Sequence, residues 1–256
     1  EDNGYRCILE NLRLYTKKKK KWYNHTDYLP PVQAAIQEML SIKVDGIIYL
    51  AGHARYIDFL PTDLDIPIVI SYALSKDNNF TSVSIDDFIS AYKITEHLIK
   101  KNHKKIAVVA GTQNNIHNIL RLEGYKKALL DNEIPFDDSL IYNGNWDKPS
   151  GYQACKNFES KNISFDTVFS FNDNMAAGVY DYFVEKNLTI GKEVFVAGFD
   201  NQVVCEYMNP PLTTMQIPLI EIGKRSAQEL LAFINNEKST KENISIPCSL
   251  IERKSV

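Results

Sequence analysis

The sequence predicts an α/β protein of two doubly wound parallel-sheet lobes joined by a multi-strand hinge. Three observations lead there. Continuous apolar runs, such as VDGIIYL at 44–50, KIAVVAG at 105–111 and the stretch 167–171, read as strands buried on both faces. Between them lie helix-length stretches with apolar residues three and four apart, and such alternation means crossover units and parallel sheets. The strands, roughly nine or ten in number, exceed one comfortable sheet and divide into two.

Taken in order, residues 5–10 (YRCILE) are a strand candidate after a glycine. The lysine run at 17–21, followed by Trp22 and Tyr23, reads as a solvated loop, since nothing regular extends it into a nucleic-acid arm. Pro30 and Pro31 open a helix carrying Val32, Ala35, Ile36, Met39 and Leu40 on one stripe. Strands follow at 44–50 and at 66–71 (IPIVIS), where a leading proline is tolerated. A brief strand at 82–85 runs into Asp86 and Asp87, which cap a helix over 88–101. Then come a strand at 105–111, a helix near 116–131, a short strand at 140–142 and a helix over about 150–159. The strand 167–171 passes through the polar turn Asn172, Asp173 and Asn174, with Asp173 as the expected cap of the next helix. Residues 194–199 form a strand that runs out at Asp200 and Asn201. After a Pro-Pro break, a helix over 218–235 aligns Leu219, Ile222, Ala227, Leu230 and Ile234, and one strand over 244–251 closes the chain.

This divides into a first lobe of 1–86 with 217–240 and a second of 87–216 with 241–256. Open α/β sheets hold ligands beyond the carboxyl ends of their strands, so Asn172, Asp173 and Asp200 share an edge where a small molecule fits. Lobes joined by several crossovers close on such a ligand like a clam.

The composition is that of an ordinary soluble domain, with 44% hydrophobic and 24% charged residues. A formal charge of −3 offers no general attraction to nucleic acid or anionic membrane. The four cysteines (Cys7, Cys155, Cys205, Cys248) are widely spaced and form no metal-type cluster, which fits reduced thiols in the cytoplasm. No run approaches a membrane span, and the opening EDNGYR does not read as a secretory leader. The nucleophile elbow, the phosphate-binding loop, the zinc-protease pair and the dinucleotide glycine motif are all missing, so neither an enzyme nor a cofactor is expected. A glycosidase would need Asp173 and Asp200 at a suitable separation.

Six motifs then occur in order: R-x-x-G-Y (121–125), G-x-W…S-G-Y (144–152), F-N-D-x-M-A-x-G (171–178), V-A-G-F-D-N (196–201), P-P-L-T-T (210–214) and E-R-K-S (252–255). Together they resemble the effector-binding core of the LacI/GalR family of bacterial transcriptional repressors, a type I periplasmic-binding-protein fold. The likeness runs from about residue 44 to the end. It lacks the first strand and helix such cores carry, and the helix-turn-helix headpiece before them. An incomplete first lobe is therefore expected, with operator DNA bound only through a headpiece that these residues do not include.

The resemblance implies a ligand site at Arg121, Asn172, Asp200, Trp146, Tyr72 and Phe171. Arg121 stands where a helix arginine reaches ligand hydroxyls or a carboxylate, although on its own it reads as a surface ion pair with Glu123. Asn172 offers a donor and an acceptor, Asp200 a carboxylate for hydroxyls, and Trp146 a flat wall for the apolar side of a sugar or base. Tyr72 takes the place of an acidic residue found in several members. Asn115 and His117 lie in the loop leading to Arg121, and His53 follows the strand at 44–50. Replacing Arg121 by alanine is expected to leave the ligand-free stability nearly unchanged. The implied function is a dimeric sensor of a small, sugar-like effector, and the alternative is a solute-binding receptor of a sugar transporter with the same fold.

Overall fold

The structure, a computed structural model, describes residues 4–12, 29–52 and 55–256. Its first elements are α1 (Leu29–Ser41), β1 (Ile47–Leu50), β2 (Tyr56–Ile57), β3 (Ile68–Ser71), β4 (Leu74–Ser75), β5 (Thr81–Asp86) and α2 (Asp87–Lys100). They continue as β6 (Ile106–Ala110), α3 (Ile116–Asp131), β7 (Ile141–Asn143), α4 (Lys148–Ser160), β8 (Thr167–Ser170) and α5 (Asp173–Glu185). The chain ends with β9 (Phe195–Asp200), α6 (Val204–Tyr207), β10 (Thr213–Gln216), α7 (Leu219–Ile234), β11 (Asn243–Pro247) and β12 (Ser249–Ile251).

Two sheets carry the fold. The first has the order β1-β3-β5-β11 with every pair parallel. The second runs β12-β10-β9-β8-β6-β7 and is parallel except at its antiparallel edge, β12. Each has its own apolar cluster. Val32 and Ile36 of α1 pack with Ile68 and Ile70 under the first sheet. Ile94, Leu98, Val108, Phe169 and Phe199 belong to the larger core of the second. All residues of β6 and β8 are buried, as strands covered by helices on both faces must be.

In the second sheet the chain steps from β6 outward to β7 and returns on the other side of β6 with β8. That reversal opens a crevice at the carboxyl ends of β6 and β8. Helices α2 and α3 pack together, as do α4 and α5. The second pair approaches so closely that a Cβ on Gly178 would stand 1.9 Å from the Lys148 carbonyl oxygen, so the last motif glycine is required for packing.

Among the described residues the chain changes sheet three times. It passes from β5 into α2, from β10 through Ile217 and Pro218 to α7, and from β11 through Cys248 to β12. Helix α7 packs against β1, β3 and β5, and its Ser226 hydroxyl bonds that of Ser71 at 3.0 Å. No helix among the described residues is long and apolar enough to cross a membrane.

Three sequence expectations are corrected. Residues 5–10 form no strand; Leu9 is 86% exposed, and among the described residues no strand pairs with the segment to complete a ladder. The closing strand is two strands: Pro247 supplies no N–H to prolong the pairing with β5, and the chain turns at Cys248 onto β10. Residues 243–247 thus belong to the first sheet rather than the second. Thr213–Gln216, of which the sequence showed only the end of the P-P-L-T-T motif, is a strand whose threonines are buried within the second sheet. The lysine run with Trp22 and Tyr23, and His53, lie outside the described residues.

Candidate functional site

The carboxyl ends of the strands gather four of the predicted residues around Arg121. The arginine sits on α3, one face of which buries His117, Asn118, Arg121, Gly124, Tyr125 and Ala128. This puts the guanidinium inside the protein at 2% exposure, not in a surface pair with Glu123. Its Nε donates to Asp87 Oδ1 at 2.7 Å, and its Nη1 donates to the Phe171 carbonyl. The same Nη1 stands 3.8 Å from Asp200 Oδ1. The Phe199 ring lies 3.6 Å from the guanidinium carbon and that of Trp146 5.8 Å, distances at which a cation is held by ring electrons.

Trp146 follows β7 with φ of 66°. Its indole N–H donates to Thr112 Oγ1 at 3.1 Å, and the ring lies so close over Gly111 that an added Cβ would meet it at 2.0 Å. Asn172 holds this loop in place. Its Nδ2 donates to the Trp146 carbonyl at 2.9 Å, while its Oδ1 accepts from Met175 N at 2.8 Å and caps α5. Tyr72, from the end of β3, has φ of 62° and brings its ring 5.7 Å from that of His117. Burial pushes its phenol above the ordinary range, against the pull of Arg121, with Asp200 and Asp87 also acting on it. A first-sheet residue therefore shares the field of the second-sheet cluster.

Several predicted roles change. Asn172, not Asp173, is the helix cap. Asp173 is fully buried and accepts from Thr214 Oγ1 at 2.7 Å and Gln202 N at 2.8 Å, tying β10 and the loop after β9 together. Each of its oxygens therefore accepts a bond from the protein itself. Phe171 contributes its carbonyl only; its ring is buried and packs 5.1 Å from Phe169. Asn115 caps α3 through His117 N at 2.9 Å.

Sequence reading missed Asp87. Asp86 alone caps α2, accepting from Ile89 N at 2.9 Å. Asp87 falls on the stripe with Ser90, Ala91, Ile94, Thr95 and Leu98, all buried. An acid on an apolar stripe must find a partner, and this signal was available in the spacing. Asp87 has two: Arg121 at Oδ1 and His117 Nδ1 at 2.7 Å from Oδ2. Burial opposes its charge, but His117 and Arg121 outweigh it and hold the carboxyl below its ordinary value. Burial likewise opposes charge on Arg121, yet Asp87 and Asp200 hold it above its ordinary value. Asp200, with φ of 115° and its side chain 20% exposed, goes the other way. Burial pushes it up to about 7, Arg121 opposing and Asp173 adding.

The result is a packed cluster whose part-exposed members, Tyr72, Trp146 and Asp200, surround a buried cation. A separate cavity of about 160 Å³ lies beside it, between β5 and the starts of α2 and α3, lined in part by Leu74, Ser84, Asp86, Ile116 and Leu120. Asp87 is the one cluster residue on its wall. Among the described residues no group of three His, Cys, Asp or Glu is placed to hold a metal ion.

Residues 95–256 match a family described as periplasmic binding protein-like domain. The regulator RegA of Clostridium saccharobutylicum, named as an HTH-type transcriptional regulator, is 30% identical over 253 residues, covering 98% of this chain and 72% of RegA. Catabolite control protein A of Priestia megaterium is 28% identical over 215 residues, 83% of this chain but 64% of that protein. The chain thus spans about two thirds of the length of such relatives. A solved structure from Enterococcus faecium, described as a LacI family transcriptional regulator with bound ribose, is 31% identical. It covers 74% of this chain and 70% of its own, with a TM-score of 0.64.

Proposed function

This chain belongs to the LacI/GalR family, in which it is a ligand-sensing periplasmic-binding-protein-like core, and from that premise we propose that it binds a small carbohydrate effector between its two sheets. The observation that carries the reading is the meeting of Arg121, Trp146, Asp200 and Tyr72, from four separate segments, at the strand ends where the second sheet reverses. Bound ribose in the Enterococcus faecium relative supports the effector class. Asp200 accepts from ring hydroxyls, Trp146 covers an apolar sugar face, and Arg121 stiffens the floor of the site. Asn172 positions Trp146 and does not reach the ligand.

Effector binding shifts the population of lobe arrangements by the difference in its affinity for them. In the whole regulator this acts on operator DNA through a headpiece, with the protein working as a cytoplasmic homodimer and without turnover of the ligand. The test is a thermal-shift screen of neutral mono- and disaccharides, followed by calorimetry. A sugar at 100 times its Kd adds about 2.7 kcal/mol of stability. Asp200→Ala should remove that gain. A screen in which no sugar shifts the transition, or in which Asp200→Ala binds as well as the parent, refutes the reading.

A further inference from the structure

We infer that the site takes an uncharged or amine-bearing carbohydrate and rejects the phosphorylated or acid form of the same sugar; the inference rests on the reading of this cluster as the effector site. An arginine at a ligand site ordinarily invites an anion, since its fork of donors matches carboxylate and phosphate. Here two of the three guanidinium nitrogens are already engaged. Asp87 Oδ1 takes the Nε edge at 2.7 Å, the Phe171 carbonyl takes Nη1, and Asp200 stands 3.8 Å from that nitrogen. One cation therefore faces two carboxylates.

Asp87 cannot step aside for an incoming anion. It is buried in the first turn of α2, and its other oxygen is held by His117 Nδ1 at 2.7 Å. The helix starts at the site are closed as well. A free helix N-terminus is an anion site because its N–H groups and dipole point outward. At the start of α2, Asp86 caps and Asp87 follows; at the start of α5, Asn172 caps and Asp173 follows; α3 is capped by Asn115. Two of the three starts thus carry their own carboxylate, which answers the dipole from within the protein. The part-exposed carboxylate that meets a ligand is Asp200, an acceptor that pairs with a hydroxyl or an ammonium and repels a phosphate.

The test is calorimetry on the 256-residue chain at pH 8 with matched sets: glucose, glucosamine and glucose 6-phosphate; ribose and ribose 5-phosphate. For any sugar that binds, the phosphate ester should bind at least tenfold more weakly. An ester that binds equally or more tightly overturns the inference. Inorganic phosphate is the second probe, and it does not depend on any sugar binding. It should give no thermal shift with the parent at 10 mM, and Asp200→Asn, with one of the two facing carboxylates neutralised, should gain at least tenfold in phosphate affinity. Phosphate binding by the parent, or no gain in Asp200→Asn, overturns the charge argument. If no sugar binds but the phosphate arm behaves as stated, the carbohydrate reading fails and the exclusion of anions stands.

Discussion

Asp87→Ala gives the sharpest check on the energetics of the cluster. The carboxylate makes two hydrogen bonds of 2.7 Å, one to Arg121 Nε and one to His117 Nδ1, at 2% exposure. Hydrogen bonds to charged groups contribute roughly 1.5–3 kcal/mol each. Removing one member of a buried ion pair costs about 3–5 kcal/mol, because the survivor is left charged and without its partner. Arg121 would retain the Phe171 carbonyl and the more distant Asp200. We therefore expect Asp87→Ala to lose about 3–5 kcal/mol in urea unfolding at pH 7.5, followed by circular dichroism, with the denaturant slope unchanged. Arg121→Met should also be costly, contrary to what an exposed arginine would give. The double variant, which leaves neither charge behind, should recover roughly 2–3 kcal/mol of the summed loss. A loss below about 1 kcal/mol for Asp87→Ala, or simple additivity in the double variant, would refute the reasoning.

Asp200 makes a prediction of opposite sign. Its carboxyl is raised from 3.8 to about 7 in the folded protein, so the native state holds this proton more tightly than the unfolded chain does. The stabilisation from that proton is complete below pH 4 and is lost as pH climbs through about 7. Asp200→Asn should match the parent at pH 4 and exceed it by about 1–3 kcal/mol at pH 8, read from melting at both values; a constant offset would contradict the raised value. Gly111→Ala pushes a methyl into the Trp146 ring, whose nearest atoms lie 2.0 Å from the added carbon. In a Trp22→Phe background, the Trp146 emission should redshift and sugar affinity should fall at least tenfold; an unchanged spectrum would mean the indole is not seated there. Gly178→Ala drives α4 and α5 apart at a 1.9 Å approach to the Lys148 carbonyl and should cost about 3 kcal/mol or more. The relative affinities among sugars should not change, which calorimetry under stabilising conditions would check.

The alternation of apolar runs and amphipathic stretches made most of the second sheet legible. Ile116–Asp131 appears with the bounds its periodicity indicates, because α3 is a regular helix between a capping asparagine and a polar stop. Thr213–Gln216 was opaque, since two threonines carry no apolar signature and are buried only by being threaded between β9 and β12. The split at Cys248 was hidden for a related reason: residues 244–251 alternate like one strand, and only the placement of two separate ladders divides them. At the site, Arg121, Trp146 and Asp200 were visible through their motifs, whereas Asp87 was masked by its neighbour. Two adjacent acids before a helix look like one cap, and the register that separates them is a rotation of about 100°. Asn172 was found for its amide, but its role as a helix cap was not, because an amide able to serve a sugar is equally able to serve the protein's own backbone.

Cys248 has a mechanical consequence. It is the sole residue between a strand that completes one sheet and a strand that borders the other, and its amide N–H is fastened to Ser90 Oγ at 2.9 Å on α2. The other two passages among the described residues leave nearby strands at Asp86 and Gln216, so three short tethers lie along one seam there. Tethers of that length permit a swivel and forbid a slide. Any message that the two halves exchange must therefore be written as a rotation, and its amplitude is limited by how far the torsions of a few residues can be wound.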